Sequence, residues 1–135
     1  MNNENNDFIE SLCAKINSFG LPLKCKMNYL SDKESLVVYS SPGGKVIQQY
    51  MDGESEVALP FEIAVKSKDP ALANDILWTI NDHLSDINLD IQSRNGSFSF
   101  SKIDLEKPFL GNQDEKEWTI YLLDLTATIT TNKGV

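Results

Sequence analysis

The most regular hydrophobic pattern of the chain lies in its middle, from Asp69 to Ile87, DPALANDILWTINDHLSDI. At about 100° per residue, Leu72, Ala73, Ile76, Leu77, Ile80, Leu84 and Ile87 fall within an arc of about 140°, the stripe a helix lays on a core. Asp69 can cap the first-turn N–H groups and Pro70 suits the first helical position, so the start is well marked. Trp78 falls outside the arc, among Asn74, Asn81 and Ser85, beside an acidic line of Asp75, Asp82 and Asp86. An earlier helix is predicted from Phe8, Ile9, Leu12, Ile16 and Phe19 on one face. Asp7 and Glu10 read as its capping pair, Gly20 as its end, and Pro22 follows.

Elsewhere the pattern shifts to a period of two. Leu23 to Leu30 alternates in part and fits a short strand or an extended linker. Leu36 to Ser40 is a strand run, and Pro42-Gly43-Gly44 turns it into Val46 to Met51 as a hairpin. Asp52-Gly53 suits both centres of a tight type I′ turn into a further strand, Val57 to Val65, whose odd positions are apolar. Pro60 within it marks an edge or a bulge.

Beyond the central helix, Leu89 to Arg94 is a connection and Asn95-Gly96 opens the next strand. Phe98 and Phe100 share one face while Ile103 and Leu105 fall on the other, a slip that a bulge near Ser101-Lys102 would produce. Glu106 to Lys116 reads as a loop. The last strand runs from Glu117 to about Thr130 with Tyr121, Leu123, Leu125, Ala127 and Ile129 on one apolar face. The expected fold is one α+β domain over residues 1–135: a mainly antiparallel sheet of about five strands, as a three-stranded meander plus a C-terminal hairpin, with two helices on one face. From about residue 131 a mobile tail is expected.

Composition narrows the possibilities. With 135 residues and 41% hydrophobic content the chain can bury one real core and is short for two. A formal net charge of −8 argues against a dedicated nucleic-acid binder, whose affinity comes from Lys and Arg releasing counterions. The opening MNNENNDF has no apolar h-region and no window reaches the length of a membrane span, so a soluble cytoplasmic product is expected. Cys13, Cys25 and a single His make no zinc set, which leaves two structural thiols and no expected metal or cofactor.

Candidate chemistry is sparse. Ser41-Pro42-Gly43-Gly44-Lys45 lacks the Walker spacing and precedes a strand, so a plain turn is favoured over a phosphate loop. His83, on the margin of the apolar arc beside Asp82, could act as a base in a small cytoplasmic enzyme or ligand-binding domain, but no nucleophile elbow accompanies it and a packed or margin histidine is favoured. Asp75, Asp82 and Asp86 lack the loop geometry of calcium sites and read as a solvated face. Two features stand against that plain reading. Asp82 and Asp86 repel at i, i+4 with no Lys or Arg between residues 69 and 93, and Trp78 is the residue type most enriched at interface hot spots.

The segments LPLK (21 to 24), YLSDKESL (29 to 36), SPGGKVIQQYMDG (41 to 53), FEIAVKSKD (61 to 69), LW (77 to 78), GSFSF (96 to 100), KPF (107 to 109) and EWTIYLLDL (117 to 125) together resemble the "minor capsid protein" family of tailed phages of Gram-positive bacteria. The order helix, meander, helix, hairpin is similar to the tail terminators of long-tailed phages. That resemblance implies a non-enzymatic virion protein at the head-to-tail junction: a ring, expected to be a hexamer, that caps the tail tube and joins it to head-completion proteins. A head-completion or other minor capsid protein is the rival within virions. DNA would pass through such a ring without specific binding, and no membrane is involved. On this reading Trp78 faces a partner, and Asp75, Asp82 and Asp86, then Asp114 and Glu115, are the candidates for an acidic channel wall or a subunit contact.

Overall fold

The computed structural model describes residues 7–51, 53–94, 96–113 and 118–132. Among these the element order is α1 (Phe8–Asn17), β1 (Cys25–Met27), β2 (Ser35–Ser40), β3 (Lys45–Gln49), β4 (Glu54–Ser67), α2 (Pro70–Leu84), β5 (Phe98–Leu105), β6 (Phe109–Gln113) and β7 (Thr119–Asn132). The fold is α+β, with two helices and a mixed seven-stranded sheet rather than the expected five antiparallel strands.

The sheet is built on β4 and β7, 14 residues each, which pair antiparallel from Glu54↔Asn132 to Ser67↔Thr119. Directly opposed residues share a face, so the odd positions of both strands point the same way. Val57, Phe61, Ile63, Val65, Leu123, Leu125, Ala127 and Ile129 are all buried beneath the helices.

The meander is not formed. β2 and β3 each pair with β4, one after the other along the same side, so they are two pieces of one interrupted strand. Residues 41 to 44 therefore bridge a break and do not reverse the chain, with Gly43 at φ +109°. Pro60 lies in a central strand, contrary to the expected edge, but it faces this break. Its carbonyl accepts Ser41 N–H at 3.0 Å, and the N–H that proline lacks would point to the same side, where no strand needs it. The hairpin from β3 to β4 closes through a Tyr50–Gly53 turn, Gly53 N–H donating to Tyr50 O at 3.1 Å with φ +94°. This is a longer loop than the two-residue type I′ form, and Asp52 lies outside the described residues.

β5 and β6 repeat the arrangement on β7. The expected loop 106 to 116 thus contains a strand, β6, made possible by Gly111. A Cβ there would stand 2.6 Å from Leu122 Cδ1, so only glycine lets the Leu122 side chain lie across the strand. The bulge expected in β5 is present between Phe100 and Lys102. It returns Phe98, Phe100, Ile103 and Leu105 to the core side. β7 runs to Asn132 with Thr131 buried, and the tail expected from about residue 131 falls at residues 133–135, outside the described residues.

β1 pairs parallel with β2, and its attachment is local to α1. The Asn17 amide behaves as a strand partner: Cys25 N–H donates to Asn17 Oδ1 at 2.7 Å and Asn17 Nδ2 donates to Cys25 O at 3.1 Å. Cys13 and Cys25 are free and buried there, Cys13 Sγ donating to Cys25 O at 3.2 Å. Burial, followed by the neighbouring Cys13, pushes the Cys25 thiol well above its ordinary range.

In α2, Asp69 Oδ1 accepts from Ala71 N–H at 3.1 Å and Leu72 N–H at 3.3 Å, the cap the sequence predicts. The helix stops a turn early. Ser85 Oγ donates back to Asn81 O and Asp86 Oδ1 takes Asn88 N–H, local bonds that compete with helix continuation, so Ile87 leaves the stripe and is 96% exposed. Asp7 also departs from expectation, for its side chain caps no α1 N–H. Its carboxylate accepts from Ser93 Oγ (2.6 Å), Arg94 N–H (2.8 Å) and Ser97 Oγ (3.1 Å), tying the start of α1 to the loop before β5. Phe8 beside it sits against Phe61 and Phe98 at 5.4 and 5.2 Å between ring centres.

Candidate functional site

α2 places Trp78 on its outer face at 39% exposure, with Asp75 and Asp82 exposed on the same helix and Asp86 exposed in the turn just past its end. Among the described residues no Lys or Arg pairs with these three aspartates. The helix thus carries three of the six expected partner-facing residues, and Asp86 follows in the turn after it. Asp114 and Glu115 lie outside the described residues. Asn81 of the same helix reaches the sheet, donating to Glu106 O at 3.3 Å. His83 is exposed at the margin of α2 and stacks on Phe19 at 4.3 Å and 14°.

A second acidic group, not anticipated from the sequence, lies on the sheet face away from the helices. Tyr39, Glu62 and Asp124 occupy one cross-strand row of β2, β4 and β7. Tyr39 Oη donates to Glu62 Oε1 at 2.5 Å. Burial first, then the hydrogen bond to Glu62 and the charges of Glu62 and Glu106, push the Asp124 carboxyl up to about 7. Burial and the bond to Glu62 likewise push the Tyr39 phenol above its ordinary range. Asp124 therefore keeps its proton to a higher pH than an ordinary carboxyl does, beside Glu62 of the neighbouring strand.

This row borders a cleft of about 300 Å³ lined by Ser41, Pro60, Glu62, Asp104, Glu106 and Asp124, at the point where both outer strands are interrupted. Four carboxyl groups make it hostile to phosphate, and it includes neither His83 nor any aspartate of α2. A second cleft, about 390 Å³, lies between residues 84 to 89 and β5, beside the exposed Ile87. Among the described residues no three His, Cys, Asp or Glu side chains are set to hold a metal ion.

Large apolar side chains are exposed at two corners of the sheet. Val46, Ile47, Tyr50 and Met51 lie on and beyond β3, and Phe109 and Leu110 lie on β6. No described helix is long and apolar enough to cross a membrane. Positive charge gathers on an aromatic ring at Lys66 and Lys68, each 5.2 Å from the centre of the Trp118 ring.

Exposed aromatic, acidic and edge-strand surfaces are features of a protein that works by contact with other proteins. The comparison with family models agrees: the bacteriophage tail terminator protein family matches residues 13–131, and the chain belongs to that family. It is thus a structural phage tail protein and a component of the virion. No curated protein matches the chain.

Proposed function

We propose that the protein closes the finished tail tube of a long-tailed phage of a Gram-positive host as a ring, a hexamer, and joins that tube to the head-completion protein. The observation that carries this reading is the family match across residues 13–131, and the exposed Trp78 and two apolar sheet corners support it as surfaces for neighbours. In this role the protein is made in the host cytoplasm and ends at the head-to-tail junction. Trp78 belongs to an inter-subunit or inter-protein contact, since tryptophan anchors interfaces through large area at little entropic cost. DNA passes through the ring without specific binding. The α2 face of Asp75, Asp82 and Asp86 is the first candidate for the channel wall and Asp114 with Glu115 the second, because a basic wall would hold phosphates and slow ejection.

Electron microscopy of the purified protein and of particles lacking it tests the role. Closed rings, together with tails of uncontrolled length or tails detached from heads, are expected. Normal tails with heads that leak DNA would instead assign the protein to head completion. Charge reversal by Asp82→Lys and Asp86→Lys should slow DNA ejection and spare tail assembly if these residues line the channel. Loss of assembly with normal ejection in the surviving particles would place them in a subunit contact.

A further inference from the structure

Among the described residues β3 pairs only with β4 and β6 only with β7, so each carries an outward row of backbone N–H and C=O groups without a strand partner. Sheet edges are ordinarily blunted by short length or charge. β1 is only three residues long and carries Lys26, and β5 carries exposed Lys102 and Asp104, paired at 3.7 Å. β3 opens on Lys45, and β3 and β6 each carry a register irregularity, but their apolar side chains stay open: Val46 and Ile47 are 54% and 48% exposed, Phe109 and Leu110 42% and 53%. Both strands are five residues long.

Their placement decides the partner. β3 lies beside Ser55–Ala58 of β4, while β6 lies beside Thr119–Leu122 of β7, whose own partners in β4 are Ser67–Ala64. The two edges are therefore at opposite sides and opposite ends of the sheet. Two different patches on one chain suit a head-to-tail contact, which closes into a ring, whereas a two-fold dimer uses one patch twice.

We propose that β6 of one copy pairs antiparallel with β3 of the next, making the sheet continuous from subunit to subunit; this rests on the ring proposed above. Three antiparallel steps separate β3 from β6, so they run in opposite senses within one chain and meet antiparallel when copies are related by a rotation that keeps the sheet's direction. The faces also agree. Val46 registers with Val57 and Leu110 with Tyr121, both on the helix-covered side, so the pairing makes Val46 and Leu110 cross-strand neighbours. The strand centres are about nine residues, or ~30 Å, apart along the strands, and one copy spans four strand spacings, ~19 Å. Successive copies then step ~35 Å apart, and the strands run steeply oblique to the ring axis.

The test is the double variant Val46→Cys, Leu110→Cys, treated with a short bis-maleimide crosslinker, alongside each single variant. Both sites are exposed, so folding is spared, and native Cys13 and Cys25 are buried. The expected result is a covalent ladder from dimer upward in the double variant, at least tenfold above either single variant. Rings in micrographs without a ladder would overturn the edge pairing and leave the ring reading intact. Dimers from Val46→Cys alone would overturn it too, since they require two-fold pairing of β3. Monomers without rings or crosslinks would remove the ring reading and this inference with it.

Discussion

Replacing Asp124 by Asn should stabilise the protein above neutral pH and leave it unchanged in acid. Below pH 4 Asp124 is protonated in the folded and the unfolded chain alike, so it contributes no pH dependence. Between pH 4 and 7 the unfolded chain releases a proton that the folded chain keeps, because its carboxyl is pushed from 3.8 up to about 7 by burial and by Glu62. The folded state loses stability through that window, and the loss is constant above it. Taken at face value the difference is worth ~4 kcal/mol, but Asp124 is only half-buried and solvent screening reduces this to about 1–2 kcal/mol. Asn keeps a donor for Glu62 and has no proton to lose, so Asp124→Asn should recover that amount at pH 8 and nothing at pH 3.5. Urea unfolding across this range measures it, with an expected rise in Tm at pH 8 of roughly 3–8 °C. A wild-type stability that stays level from pH 4 to 8, or a variant equally weakened at every pH, would refute the raised Asp124 carboxyl.

Trp78→Ala should weaken assembly by about 2 kcal/mol or more with little change in monomer unfolding, as read by sedimentation and urea titration; monomer loss with intact assembly would contradict it. Asp7→Ala removes a buried carboxylate that accepts three hydrogen bonds and should cost about 3 kcal/mol in urea unfolding, with faster hydrogen exchange at Arg94. Gly111→Ala should cost about 1–2 kcal/mol because the new Cβ meets Leu122, and hydrogen exchange should place the loosening in β6. Reduction with dithiothreitol should leave Tm unchanged, since Cys13 and Cys25 are free thiols.

What was legible in the chain was what local pattern controls. Asp69, Pro70 and the apolar stripe determine the start and inner face of α2, and those same rules put Trp78 and the aspartates outside. The broken alternation at Phe100 to Ile103 carried the β5 bulge because a slip of one residue moves every later side chain. Non-local pairing was not legible. Pro42-Gly43-Gly44 has the composition of a reversal, but nothing local distinguishes a reversal from a break against Pro60 on a strand far along the chain. β6 was hidden because FLGNQ lacks alternation and its glycine answers to Leu122 across the sheet. The Tyr39, Glu62 and Asp124 row depends on the registers of three strands, which bring together residues far apart in the chain. Asp7 was assigned to its nearest N–H groups because the loop at residues 93 to 97 is distant in sequence.

The two breaks, at residues 41 to 44 and 106 to 108, are staggered across β4 and β7, the first beside Leu59 and Pro60 and the second beside Leu123 and Asp124. Each is pinned by one backbone bond, Ser41 N–H to Pro60 O and Glu106 N–H to Asp124 O, both 3.0 Å. Three strands therefore continue past each break, β4, β7 and β5 beside the first and β4, β7 and β2 beside the second. In mechanical terms the sheet is a plate notched from both edges, and its bending stiffness is lowered at the notches. The half bearing β3 is a lever whose angle to the helix-covered half can change while the ladder between β4 and β7 holds. A subunit so built can meet neighbours at slightly different angles without unpairing a strand.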